Sequence, residues 1–250
     1  MSKESSTWRS ERLGNKEVKV VRWGESGVPV LIFPTAAGDC EETERFKMIH
    51  VLAPLLSEGR IKVYSVDSVG GQAMLDSELP RHEAARMQNR FDSFVYNEVI
   101  PAIRVDCRDN DVEVIAAGAS IGAFNALAAV CRHPDVFRAG ICMSGTYDLK
   151  KFMGEDMTLD YYYSSPLHFL PNLGEGQHLD ALRKRFVLLA HGKGNFEDPQ
   201  ESWRVAHVLG SKNVPNRVDE WGSEWHHDWP TWRDMLPKYL NELLAASATR

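Results

Sequence analysis

Two stretches, Val30-Leu31-Ile32-Phe33 and Phe186-Val187-Leu188-Leu189-Ala190, contain no polar residue, and they constrain the fold more than any other feature. A strand with one wet face alternates apolar and polar side chains, so an unbroken apolar run belongs to a strand covered on both faces. Strand patterns fall at 18–22, 29–33, 62–66, 112–117, 138–143, 185–191 and 217–221. Between them lie helical patterns. Phe91, Phe94, Val95, Val99 and Ile103 recur at helical spacing, with Pro101 marking a kink. The alanine-rich segment 121–131 directly follows a glycine turn, and Trp229, Trp232, Leu236, Tyr239, Leu240, Leu243 and Leu244 form one apolar stripe near the end. This alternation predicts an α/β fold: a doubly wound, mostly parallel sheet with helices on both faces, in a single domain spanning 1–250. The segment 148–182 interrupts it with Tyr161-Tyr162-Tyr163, Pro166, Pro171 and three glycines. It reads as a small irregular excursion, either a cap over a site or a plain surface connection.

Composition narrows the function. Of 250 residues, 43% are hydrophobic, enough for a sizeable core, and 29 basic against 35 acidic residues give a net charge of −6. No basic run is present, which argues against a nucleic-acid or anionic-membrane partner. The polar start Met1-Ser2-Lys3-Glu4-Ser5-Ser6 lacks the apolar core of a signal peptide, and no apolar run is long enough to span a bilayer. The cysteines Cys40, Cys107, Cys131 and Cys142 form no CxxC pair and read as free thiols. A cytoplasmic location is the expectation.

The chemistry concentrates at Gly118-Ala119-Ser120-Ile121-Gly122, a complete G-x-S-x-G between a strand pattern and a helix pattern. A serine hydroxyl becomes nucleophilic only when a base takes its proton, and it must stand clear of the sheet to react. A sharp strand-to-helix turn lifts it there, with flanking glycines making room for the backbone. The competing reading is that Ser120 merely caps the helix. The N–H of Ile121, backed by the positive end of the helix dipole, is positioned as an oxyanion donor.

Of nine histidines, most lie in helical or polar surroundings, and His191 ends a strand without the context of a base. His226-His227 differ: they follow the last strand pattern and precede the C-terminal helix. Neighbouring residues in an extended loop point to opposite sides, so at most one of them faces Ser120. A metal site at His226-His227-Asp228 is disfavoured because adjacent ligands converge poorly; no metal and no cofactor are expected. The acid should follow the strand at 185–191, where Glu197 and Asp198 are both candidates. Helix capping before Pro199 is the alternative for each, and the two roles can be divided between them. Gly192-x-Gly194 lacks the third glycine of a phosphate-binding loop.

A set of landmarks in order resembles one family. They are Asn97-Glu98-Val99-Ile100-Pro101-Ala102-Ile103, Gly118–Phe124, His133-Pro134-Asp135-Val136-Phe137-Arg138-Ala139, Ser144-Gly145-Thr146-Tyr147-Asp148 and His227-Asp228-Trp229-Pro230-Thr231-Trp232. Over residues 28–245 the chain is similar to the esterase D-like α/β-hydrolases, which include S-formylglutathione hydrolases and siderophore esterases. The resemblance implies an α/β-hydrolase fold, His227 rather than His226 as base, and Glu197 rather than Asp198 as acid. It also implies Ala36 as second oxyanion donor, with Thr35 or Ala37 as alternatives. Relatives often carry His-Gly in that loop; here it reads Pro34-Thr35-Ala36-Ala37-Gly38-Asp39.

The expected reaction is two-step hydrolysis of a small or medium ester by a serine carboxylesterase. Substrate contacts are expected from Thr35, Ala37, Trp225 and Tyr162, while Trp229 and Trp232 read as core packing for the last helix. A thioesterase or acyltransferase would use the same triad, and a catalytically silent binding module is the alternative from another class. Homo-oligomerisation is left open.

Overall fold

The computed structural model describes residues 2–36, 38–154 and 157–248. Eight strands form one sheet in the order β1-β2-β4-β3-β5-β6-β7-β8. They are β1 (Lys3–Ser10), β2 (Lys16–Trp23), β3 (Val28–Phe33), β4 (Ile61–Val66), β5 (Val114–Ala119), β6 (Phe137–Met143), β7 (Phe186–His191) and β8 (Asn216–Glu220). Neighbours from β4 to the β8 edge run parallel, whereas β1, β2 and β4 pair antiparallel. This is the α/β-hydrolase architecture.

Both faces of the sheet are dry, as the apolar runs require. Leu31 and Phe33 join Tyr64, Val66, Val114 and Ala116 in one core. Val30 and Ile32 join Val63, Ile115, Ala117 and Ile141 in the other. Side chains alternate across a strand, so one run feeds both cores. The helices Arg81–Phe94 and Ile121–Arg132 cover the first face; Met48–Val51, Ala53–Ser57 and Trp229–Ala248 cover the second.

Strand β1 and the stretch at 148–182 differ from the sequence expectation. Strand β1 has no counterpart in it, because Lys-Glu-Ser-Ser-Thr-Trp-Arg-Ser is polar and largely exposed. It is held by its ladder to β2, from Lys3 opposite Trp23 to Ser10 opposite Lys16, and not by burial. Ahead of Pro101, where a kink was expected, lies one π-turn, Val95–Val99, and the Ile100 N–H reaches back to the Val95 carbonyl. The wider turn makes room for a ring that cannot donate. The stretch at 148–182 is a chain of short helical pieces (Lys150–Met153, Leu159–Ser164, Pro166–Phe169, Gln177–Leu182) and not irregular coil. Its tyrosines divide: Tyr161 is fully buried and anchors the piece, while Tyr163 is exposed. No helix among the described residues is long and apolar enough to cross a membrane.

Candidate active site

Every candidate residue lies on a connection leaving the C-terminal end of a parallel strand, or on the loop after β8. That is where ligands bind in open α/β sheets. Directly after β5, Ser120 adopts φ 56° and ψ −122°. A non-glycine residue at such a φ costs of order 1–3 kcal/mol and persists only where its surroundings impose it. Here the Ser120 N–H donates to the Met143 carbonyl at 3.0 Å, and the Ser120 carbonyl accepts from Ala123 at 3.1 Å and Thr146 at 3.3 Å. The flanking glycines are steric necessities. A Cβ on Gly118 would lie 2.2 Å from the Gly122 carbonyl oxygen, and one on Gly122 would lie 2.3 Å from that of Phe33. The helix therefore starts hard against the β3 connection, and Ser120 itself stays partly exposed. As first helical residue, Ile121 has an N–H with no carbonyl one turn back to accept it.

The β3 connection is a turn closed by the Gly38 N–H on the Thr35 carbonyl at 3.0 Å, which leaves the Ala36 N–H outside the turn bond. Buried Glu42 grips the loop, accepting the Thr35 N–H at 2.8 Å and its hydroxyl at 2.6 Å. Burial pushes the Glu42 carboxyl above the usual carboxylate range, against the lowering pull of those bonds. The Thr35 hydroxyl is thus committed to Glu42. Ala37 lies outside the described residues.

The two acid candidates have different tasks. Asp198 caps the helix Pro199–Ser211, accepting the Gln200 N–H at 3.0 Å. The Glu197 side chain is 1% exposed, with Oε2 3.9 Å from His227 Nδ1. Its Oε1 accepts from the Ser144 hydroxyl at 2.6 Å. The histidine pair splits as well: His226 Nδ1 accepts the Asn195 N–H at 2.8 Å, while the partly exposed His227 turns to Glu197. His227 packs edge-on against Trp232, ring centroids 5.2 Å apart. His191 is buried at the end of β7, and burial lowers its pKa.

Beside His227 opens a cleft of about 410 Å³, lined also by Gly145, Thr146, Lys150, Lys151 and Phe196. Ser120, Ile121 and Ala36 are not among its lining residues, and neither are Trp225 and Tyr162. Trp225 packs edge-on against Trp221 at 4.7 Å, and Tyr162 against Tyr163 at 5.1 Å. Trp229 stacks on Phe46 at 4.8 Å. Trp232 is core, as expected, but it also reaches the site through its ring and its N–H. Four contributors had no assigned role in the sequence: Ser144, Glu42, Thr146 and Phe196. The Ser144-Gly145 step after a strand was a usable signal for the first. Nothing in sequence singles out Glu42.

The Esterase family model matches residues 43–243. The chain belongs to the Esterase family. Membership makes it a carboxylesterase-like hydrolase acting on small-molecule esters. Solved structures share the architecture of this esterase at low sequence identity. A ferulic acid esterase is 17% identical, with 96% of each chain covered and a TM-score of 0.75. An S-formylglutathione hydrolase from Agrobacterium tumefaciens is 14% identical, covering 97% of this chain and 95% of its own, at 0.68. The fluorophosphonate-binding serine hydrolase F of Staphylococcus aureus is 15% identical over 97% and 98%, at 0.65. No curated protein sequence matches the esterase.

Proposed function

We propose that this chain hydrolyses small or medium carboxylic esters through an acyl-enzyme, with Ser120 as nucleophile, His227 as general base and Glu197 as the acid that orients it. The observation that carries the reading is the backbone of Ser120, held at φ 56° on the step from β5 to its helix. Capping alone would not need that strain, and no side-chain capping bond is made by Ser120.

Ser120 Oγ attacks the ester carbonyl as His227 removes its proton. The imidazolium is stabilised by buried Glu197, whose present 3.9 Å separation from Nδ1 tightens as charge forms; such bonds are often long before substrate binds. The oxyanion rests on the N–H groups of Ile121 and Ala36, each contributing roughly 10²–10³-fold. His227 then protonates the leaving alcohol, and water repeats the sequence on the acyl-enzyme. The cleft of about 410 Å³ beside His227 has room for one substituent of a small or medium ester. Phe196, 92% exposed at its edge, offers an apolar surface to one substituent.

The test is hydrolysis of p-nitrophenyl acetate, butyrate and octanoate together with fluorophosphonate labelling. Wild type should hydrolyse and label; Ser120→Ala should lose about 10⁶-fold in kcat and take no label. Folded wild type that does neither would sink the catalytic reading and favour a binding module.

A further inference from the structure

Ser144, one strand over, shares with Ser120 a positive φ. It follows β6, is 3% exposed and holds φ 45°. Its N–H is drawn to the Ala190 carbonyl of β7 at 2.7 Å. Strained non-glycine residues cluster where surroundings over-determine them for a purpose, and a glycine would fill this backbone position without strain. The side chain must therefore matter.

What it does follows from donor chemistry. An indole N–H can only donate. Trp232 Nε1 donates to Ser144 Oγ at 2.9 Å. That bond occupies a lone pair of the hydroxyl and turns its hydrogen away from the indole, towards Glu197 Oε1 at 2.6 Å. The distance is that of an O–H···O⁻ bond to a charged acceptor. A carboxylate whose side chain is 1% exposed has lost most of its water and needs a donor within the protein. Among the described residues no lysine or arginine pairs with Glu197. With Oε1 engaged by Ser144, Oε2 is the oxygen left facing His227. The Trp232 ring meanwhile braces the imidazole edge-on.

We propose that Ser144 and Trp232 are positioning residues for the reaction: a one-way chain of donors, indole to hydroxyl to carboxylate, fixes Glu197 with its free oxygen aimed at His227. This rests on the triad reading above.

The test uses Ser144→Gly, which suits φ 45° and removes the hydroxyl, with Trp232→Phe as a second variant that keeps a ring beside His227 but removes the donor. Ser144→Gly should still fold, the relief of strain at φ 45° offsetting part of the two lost bonds, yet lose roughly 10- to 100-fold in kcat for p-nitrophenyl acetate, the equivalent of one hydrogen bond to a charged group. KM should change little. The loss should fall on kcat and not on KM, a split that a purely structural role would not produce. Trp232→Phe should lower kcat in the same way by less. Adding it to Ser144→Gly should cost less than it does in wild type, because the chain is already cut. If both variants keep wild-type kcat while Glu197→Gln is inactive, or if their losses in kcat simply add, the inference is overturned and the triad stands. If Glu197→Gln itself keeps full activity, the triad reading fails first.

Discussion

Replacing Gly122 by alanine sets two physical effects against each other. Gly122 lies in the first turn of the helix Ile121–Arg132, and by helix propensity alone alanine should stabilise it by about 1 kcal/mol. The local packing says the reverse. The new Cβ would sit 2.3 Å from the Phe33 carbonyl oxygen and 2.7 Å from that of Pro34, while ordinary contact begins near 3.4 Å. Both are backbone atoms of β3 and its connection, so no side chain can swing aside, and the helix start and that connection must part by about 1 Å. On the proposed mechanism those two segments carry the Ile121 and Ala36 donors. A displacement of this size at a reacting centre costs about 10²-fold, and losing one donor outright costs roughly 10²–10³-fold. Gly122→Ala should therefore lower kcat for p-nitrophenyl acetate by about 10²-fold or more, slow fluorophosphonate labelling in parallel, and lower Tm. Thermal melting monitored by circular dichroism, with kcat from initial rates, decides it. A raised Tm with kcat within a few-fold of wild type would mean that propensity outweighs the clash, and the argument for a close-packed oxyanion site would fail.

Three further outcomes are expected. Phe196→Gly removes an exposed ring from a residue at φ 64°; Tm should hold or rise while KM for p-nitrophenyl octanoate increases up to about tenfold, the value of one apolar contact, and an unchanged KM would remove Phe196 from the substrate surface. His191 is held below its ordinary pKa of 6.5 chiefly by burial, so it favours the folded state above pH 6.5 and that contribution is lost as the pH falls from 6.5 through the lower folded value; urea midpoints for His191→Asn should be flatter across that window than those of wild type. Burial pushes the Cys142 thiol up to about 12 and raises those of Cys40 and Cys131 as well, so iodoacetamide on native protein should modify Cys107, the one only partly buried, and reach the other three only after unfolding.

The sheet was legible because its centre is written in hydrophobicity. Runs such as Val30–Phe33 feed two cores and fit no other element, and the glycines around Ser120 encode a turn that the backbone requires. Strand β1 was not legible, because its ladder to β2 places no demand on side chains that face solvent. The same logic divides the site. Ser120 and His227 carry reactive groups in distinctive local patterns, and the structure sets His227, not His226, towards Glu197. Asp198 and Glu197 are chemically alike and adjacent, so only the direction of each side chain, helix cap or histidine, separates them. Trp225 and Tyr162 were singled out because aromatics are abundant near the base, and in the fold each ring packs edge-on against a nearby aromatic, Trp221 and Tyr163. Glu42 and Ser144 act through contacts 7 and 53 residues away along the chain, which no local pattern records.

The reach of those contacts has a consequence for how activity is gained. Ser144 meets Glu197 across 53 residues and Trp232 across 88, and the segments they join leave β6, β7 and the loop after β8. Loop closures of that length are slow, and parallel pairings form only after their crossovers are in place. A partly folded chain can hold β3, β5 and the serine turn while having no base and no acid. Refolding from denaturant should thus restore secondary structure before it restores turnover, with enzymatic rate following the last cooperative step at the β7–β8 edge.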